Sequence, residues 1–182
     1  MCDLCEDGYS ISENSDETNL LCEKCICNSN IDENAIGNCD ATTGKCLRCV
    51  YNTSGDQCEK CLPHYWGNAL TDLKCHACEC FEPGSETTEC NLDNGQCKCK
   101  TNVIGRQCNQ CKDTYWNIAS NKGCTECNCD PVGSSSLLCD IRTGACNCQP
   151  GVTGLKCDKC MPNYFNLRYC IFHLRSFQFR SF

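Results

Sequence analysis

Twenty-seven of the 182 residues are cysteine, many set as C-x-C or C-x-x-C pairs, and thiols at such spacings can do three things. They can ligate zinc, exchange redox equivalents, or close disulfides. Zinc needs four soft ligands brought to a tetrahedron, but the cysteines recur in groups of eight, and His64, His76 and His173 hold no repeating place among them. A redox C-x-x-C works in a thioredoxin-like βαβ setting, and no such pattern exists here. Nucleophilic catalysis needs a free Cys or Ser beside a positioned His, which nothing in the sequence supplies. Asp32-Glu33-Asn34 gathers oxygen ligands, but without the spaced acidic loop and distal Glu of a calcium site. The reading is therefore structural disulfides, with no enzyme activity, no cofactor and no metal site expected.

The elements that position these cysteines form a repeat. One module uses Cys25, Cys27, Cys39, Cys46, Cys49, Cys58, Cys61 and Cys75. A second uses Cys78, Cys80, Cys90, Cys97, Cys99, Cys108, Cys111 and Cys124, and a third uses Cys127, Cys129, Cys139, Cys146, Cys148, Cys157, Cys160 and Cys170. Upstream, Cys2, Cys5 and Cys22 match the last three cysteines of a partial module, which leaves Cys2 without a partner. The organisation read from this is 1–24 as the end of a truncated module, then modules over 25–77, 78–126 and 127–170, then a tail over 171–182 outside the pattern. Each module is too small to fold on an apolar core alone, so covalent closure must supply the difference.

Gly44, Gly95 and Gly144 precede the fourth cysteine by two residues, and Gly55, Gly105 and Gly154 precede the sixth by three, as tight turns at positive φ require. Aromatic pairs follow the seventh cysteine as Tyr65-Trp66, Tyr115-Trp116 and Tyr164-Phe165, with Tyr9 in the partial module. They are expected to cover the last loop and the joint to the next module. No helical periodicity outlasts a turn, so the fold class is small and disulfide-rich, with two-stranded ribbons and little regular secondary structure. Only two residues join consecutive modules, Glu23-Lys24, His76-Ala77 and Thr125-Glu126, which predicts modules stacked as a stiff rod.

Such a disulfide framework belongs outside the cytosol. Met1 leads directly into Cys2-Asp3-Leu4 with no basic and apolar leader, so the chain reads as a piece of a longer secreted protein. No run approaches the roughly 18 apolar residues of a spanning helix, and membrane insertion is not expected. A net charge of -7 with singly scattered basic residues argues against nucleic acid as a partner.

An eight-cysteine repeat opening on C-x-C, with Thr-Gly-x-Cys near its middle and then Gly-x-x-Cys-x-x-Cys and Tyr-aromatic, resembles the laminin-type EGF-like module over residues 2 to about 167. Spacing alone leaves 105 pairings open for eight cysteines. The resemblance implies first to third, second to fourth, fifth to sixth and seventh to eighth. Module one would then hold Cys25–Cys39, Cys27–Cys46, Cys49–Cys58 and Cys61–Cys75, and the same order would apply to the others, with Cys5–Cys22 in the partial module.

Between Cys27 and Cys39 lie eleven residues, against nine in each sibling, and Leu47-Arg48 fills a gap that Lys98 or Asn147 fills alone. The longer loop reads Asn30-Ile31-Asp32-Glu33-Asn34-Ala35-Ile36 and resembles the Asn-Ile-Asp-Pro-Asn-Ala-Val segment by which a laminin gamma chain binds nidogen, with Glu33 in the place of Pro. The resemblance implies binding through Asp32, Asn34 and Ile36, helped by Tyr51. Asn52-Thr53-Ser54 is a glycosylation acceptor beside that Tyr. The reading is thus a laminin gamma-like segment of secreted, basement-membrane matrix that binds nidogen, joining laminin alpha and beta chains through regions outside these residues. The alternative is a spacer or adhesion segment of a netrin, agrin or perlecan type of matrix or receptor protein. The aromatic, basic stretch from Ile171 to Phe182 is read as foreign to the repeat.

Overall fold

A computed structural model of the protein describes residues 5–16, 19–166 and 170–172. Cys2 and residues 173–182, for which a missing partner and a foreign tail are expected, lie outside them. The described residues fall in two compact units, one built on Met1–Cys80 and Thr87–Lys98, the other on Phe81–Glu86 and Cys99–Phe182.

Both units consist of tandem disulfide-rich modules whose described residues fold as paired short strands, one 3-10 turn at Ile118–Ser120, and loops. Among the described residues thirteen disulfides close these loops. In module one they join Cys25 to Cys39, Cys27 to Cys46, Cys49 to Cys58 and Cys61 to Cys75. The two following modules repeat that order, and Cys5 pairs with Cys22. The interior is mostly sulfur. Cys58, Cys108 and Cys157 are sealed from solvent, and among the described residues Val103, Val152 and Ala69 are the only buried aliphatic side chains. With so little apolar surface to bury, covalent closure restricts the unfolded chain in place of a conventional core.

Each module closes with a ribbon that reaches the next one. The residues between modules belong to strands: Tyr9 faces Lys24, Tyr65 faces Ala77 and Tyr115 faces Glu126. The second aromatic of the first two pairs then packs on the following module. Trp66 covers Gly95, and Trp116 covers Gly144 while also packing on the buried cystines of module three. Backbone bonds seal the same joints, from Gly67 N to Leu92 O at 2.8 Å and from Asn117 N to Ile141 O at 3.2 Å. At the first joint the corresponding residue is Ser10, whose Oγ would lie 2.9 Å from a Cβ on Gly44. A polar cleft lined by Ser10, Glu13, Glu23, Lys24, Thr43 and Gln57 opens there. In module three Ile171–Phe172 pairs with Tyr164–Phe165, so the closing ribbon forms although the glycine-containing turn of the other modules is missing.

Candidate partner-binding site

The first loop of module one is built differently from its siblings. In modules two and three the residues before the third cysteine form six-residue strands, Ser85–Cys90 and Ser134–Cys139, paired with Cys97–Cys99 and Cys146–Cys148. In module one that ribbon shrinks to a single bridge between Cys39 and Cys46. The backbone departs early: Glu79 and Asn128, between the first two cysteines of their modules, take positive φ, whereas in module one Asn28 and Ser29 do so instead.

Asn30 explains how the loop is held. The carbonyls of Gly84 and Gly133 accept bonds from Lys100 N and Gln149 N, and the carbonyl of Asn30 accepts the matching bond from Val50 N at 2.8 Å. Asn30 thus stands where the siblings have glycine. Those glycines press so closely on the Cys108 and Cys157 carbonyls that no Cβ fits. In module one a side chain takes up the space: Asn30 is 0% exposed and its Nδ2 donates to Cys58 O at 3.0 Å and Ala69 O at 2.8 Å. At the other end, buried Asn38 donates from Nδ2 to Asp32 O at 2.8 Å and Ala35 O at 2.7 Å. Two buried amides with both hydrogens engaged fix the ends of an otherwise exposed loop.

Between these pins, Asp32 Oδ1 accepts from Asn34 N at 3.0 Å and from Asn34 Nδ2 at 3.4 Å, an Asx turn that makes the tip rigid. Among the described residues no donor reaches Asp32 Oδ2. Ile36 is 79% exposed, more than any other large apolar side chain among the described residues. Tyr51 sits on the loop that Asn30 is tied to, is 58% exposed, and has φ 57. Thr101 and Pro150, its counterparts, avoid that left-handed region, which disfavours a bulky side chain. Tyr51 and Asn52 together make a turn closed by Thr53 N on Val50 O at 3.1 Å. Asn52 is exposed, and its Nδ2 lies 3.3 Å from Cys75 O.

The structure therefore brings Asp32, Asn34 and Ile36 onto one ordered loop and ties that loop to the one bearing Tyr51. Sequence reasoning missed Asn30 and Asn38 as anchors. A signal existed: the glycine found four residues after the second cysteine, at Gly84 and Gly133, has no counterpart at Ile31. The turn that closes the third-to-fourth cysteine loop is also carboxylate-capped. Asp40 Oδ1 accepts from Thr42 N at 3.0 Å, Thr43 N at 2.7 Å and Thr43 Oγ1 at 3.0 Å. The Thr43 amide, then its hydroxyl, hold the Asp40 carboxyl below the usual range, and Thr143 does the same for Asp140. Among the described residues no cluster of three or more His, Cys, Asp or Glu could hold a metal ion, and no helix is long and apolar enough to cross a membrane.

Short strand pairs, a sulfur interior and aromatic joints define a class of tandem, disulfide-closed repeats. The laminin EGF domain profile matches residues 25–75, 78–124 and 127–171, and the chain belongs to that family. It is 49% identical over 132 residues to "Laminin-like protein lam-2" of Caenorhabditis elegans, covering 68% of this chain and 8% of that protein. It is 44% identical over 131 residues to "Laminin subunit gamma-1" of Xenopus tropicalis, again 68% and 8%. To "Laminin subunit alpha-1" of Mus musculus it is 41% identical over 134 residues, 68% and 4%.

Proposed function

We propose that this chain is a structural, non-enzymatic segment of a laminin gamma-like matrix protein, secreted into basement membrane, in which the module over 25–77 presents its first loop to nidogen. Modules over 78–126 and 127–170 carry that unit, and contacts with laminin alpha and beta chains lie in regions outside these residues. One observation carries the reading. The first loop of module one abandons the ribbon its siblings form, yet is pinned at both ends by buried amides while Asp32, Asn34 and Ile36 stay exposed. A loop ordered before it meets a partner loses little entropy on binding, so a few side chains can dominate affinity. Asp32 offers a carboxylate for an Arg, Asn34 a donor and an acceptor, and Ile36 an apolar knob.

The test is calorimetry of nidogen binding by correctly disulfide-bonded, deglycosylated protein. Asp32→Ala, Asn34→Ala and Ile36→Ala should each cost at least ~2 kcal/mol, and Gln96→Ala should cost little. Glu33→Pro should strengthen binding by about 0.4–1 kcal/mol by fixing φ, since among the described residues the Glu33 amide has no hydrogen bond that proline would remove. No binding by either wild type or Glu33→Pro would sink the nidogen reading. A second reading, a spacer or adhesion segment without nidogen binding, draws support from the 41% identity to an alpha subunit, close to the 44% to a gamma subunit. Calorimetry separates the two directly.

A further inference from the structure

The loop over 30–38 has a third pin, which comes from the preceding module. Asp7 Oδ1 accepts from Gly37 N at 2.9 Å, across thirty positions of sequence. Asp7 is itself held, because Tyr9 N donates to Glu6 O at 3.0 Å, Cys25 N donates to Gly8 O at 2.9 Å, and Cys5–Cys22 closes the hairpin it belongs to. The donor, Gly37, takes φ 72, and a Cβ there would meet nothing within 4 Å. Asn38 Nδ2 brackets the same peptide through Ala35 O at 2.7 Å, and Asp7 adds the bond to the Gly37 amide itself. Gly37 is also the residue next to Ile36, the most exposed large apolar side chain of the loop.

The same turn meets the next module elsewhere, which makes the contact a feature of the repeat put to a particular use. After Cys61 the turn brings His64 Nδ1 to Thr88 O at 3.4 Å and Thr88 Oγ1 at 3.3 Å, on the strand that occupies the first loop of module two. At the first joint no strand is there to meet. The lengthened loop projects instead, and a carboxylate captures its backbone amide.

We propose that Asp7 is a positioning residue for the binding loop, and hence that the binding unit extends across the module boundary into residues 5–24. The proposal rests on the reading of 30–36 as a partner loop. Asp7 holds the peptide between Ile36 and Gly37 in the orientation that presents Ile36. Without it, the loop visits other orientations about Gly37, and apparent affinity falls with the competent fraction.

The experiment uses the whole chain with its thirteen described disulfides confirmed by mass, and two readouts. The first is exchange of the Gly37 amide by NMR, which needs no partner. The second is nidogen affinity by calorimetry. Asp7→Ala should speed Gly37 exchange severalfold, leave Asn30 and Asn38 side-chain amides protected, and weaken binding about fivefold. Asp7→Asn keeps an acceptor oxygen without charge and should restore both to within about twofold. Unchanged Gly37 exchange in Asp7→Ala overturns the proposal, as does faster exchange with full affinity. Restored exchange with affinity still lost in Asp7→Asn also overturns it, by making Asp7 a direct charge contact. Should wild type show a protected Gly37, lost in Asp7→Ala, but no nidogen binding, the clamp stands and the nidogen reading falls.

Discussion

The indole of Trp66 lies over the bare Cα of Gly95 with no room between them for a Cβ. One module thus contributes the knob and the next the socket, and Trp116 repeats the relationship on Gly144. Gly95 also takes φ 69, so two costs coincide there.

Gly95→Ala should destabilise the protein by about 3 kcal/mol, from left-handed backbone strain and displacement of the indole. Gly37→Ala, at φ 72 but with open space around it, should cost only about 1 kcal/mol. Urea unfolding followed by tryptophan fluorescence separates the two. Equal losses would mean that the joint does not depend on this contact.

Ser10→Trp should strengthen the first joint. It supplies the missing knob above Gly44, where Ser10 now leaves a polar cleft. Burying even part of an indole is worth about 1–2 kcal/mol, read as a rise in melting temperature. A fall would show that the socket at Gly44 differs from those at Gly95 and Gly144.

Acid should loosen the turns capped by Asp40 and Asp140. Both carboxyls titrate below the ordinary Asp value of 3.8 because Thr43 and Thr143 donate to the charged form. A folded-state value below the unfolded one means that their stabilisation is fully present above the unfolded value. It is lost as pH falls through the lowered one. Asn91 caps the same turn in module two without charge, accepting from Asp93 N at 2.9 Å and Asn94 N at 3.1 Å. Asp40→Asn should therefore keep the turn and flatten the acid limb of melting temperature against pH. An unchanged limb would contradict the assignment.

Tyr51→Gly should separate binding from folding. Relief of the left-handed strain should raise stability by about 0.5–1 kcal/mol, while nidogen affinity falls because the side chain is gone. Loss of both together would mean that Tyr51 is a packing residue.

Much of this architecture was legible in the cysteine spacing, because sulfur fills most of the interior and its repeat is the repeat of the fold. The pairing was not: spacing leaves it open, and it came from the resemblance. Trp66 and Gly95 were each visible as repeating positions, but their contact across modules has no trace in a single period. The lengthened loop was equally plain, whereas its anchoring was hidden. Asn30 looks like a surface residue in a polar stretch, and only the fold shows that it takes the place of Gly84 and Gly133 and donates to the Cys58 carbonyl where they press on those of Cys108 and Cys157. Asp7 was hidden for a related reason, since its partner is a backbone amide thirty residues away.

Because crosslinks hold the frame of these modules, the exposed stretches of a loop are freer to change than its buried anchors and turn glycines. Cys25–Cys39 spans a sequence separation of 14 and Cys78–Cys90 one of 12, a difference worth about 0.1 kcal/mol in loop-closure entropy. The two extra residues of module one cost almost nothing in closure entropy, and buried Asn30 and Asn38 replace the ribbon that they displace. Isoleucines and leucines can face water at Ile26, Ile36, Leu47 and Ile141 without emptying any interior. A tandem array of this kind is a ladder of interchangeable loops, any rung of which can drift toward a new partner while its neighbours keep the frame.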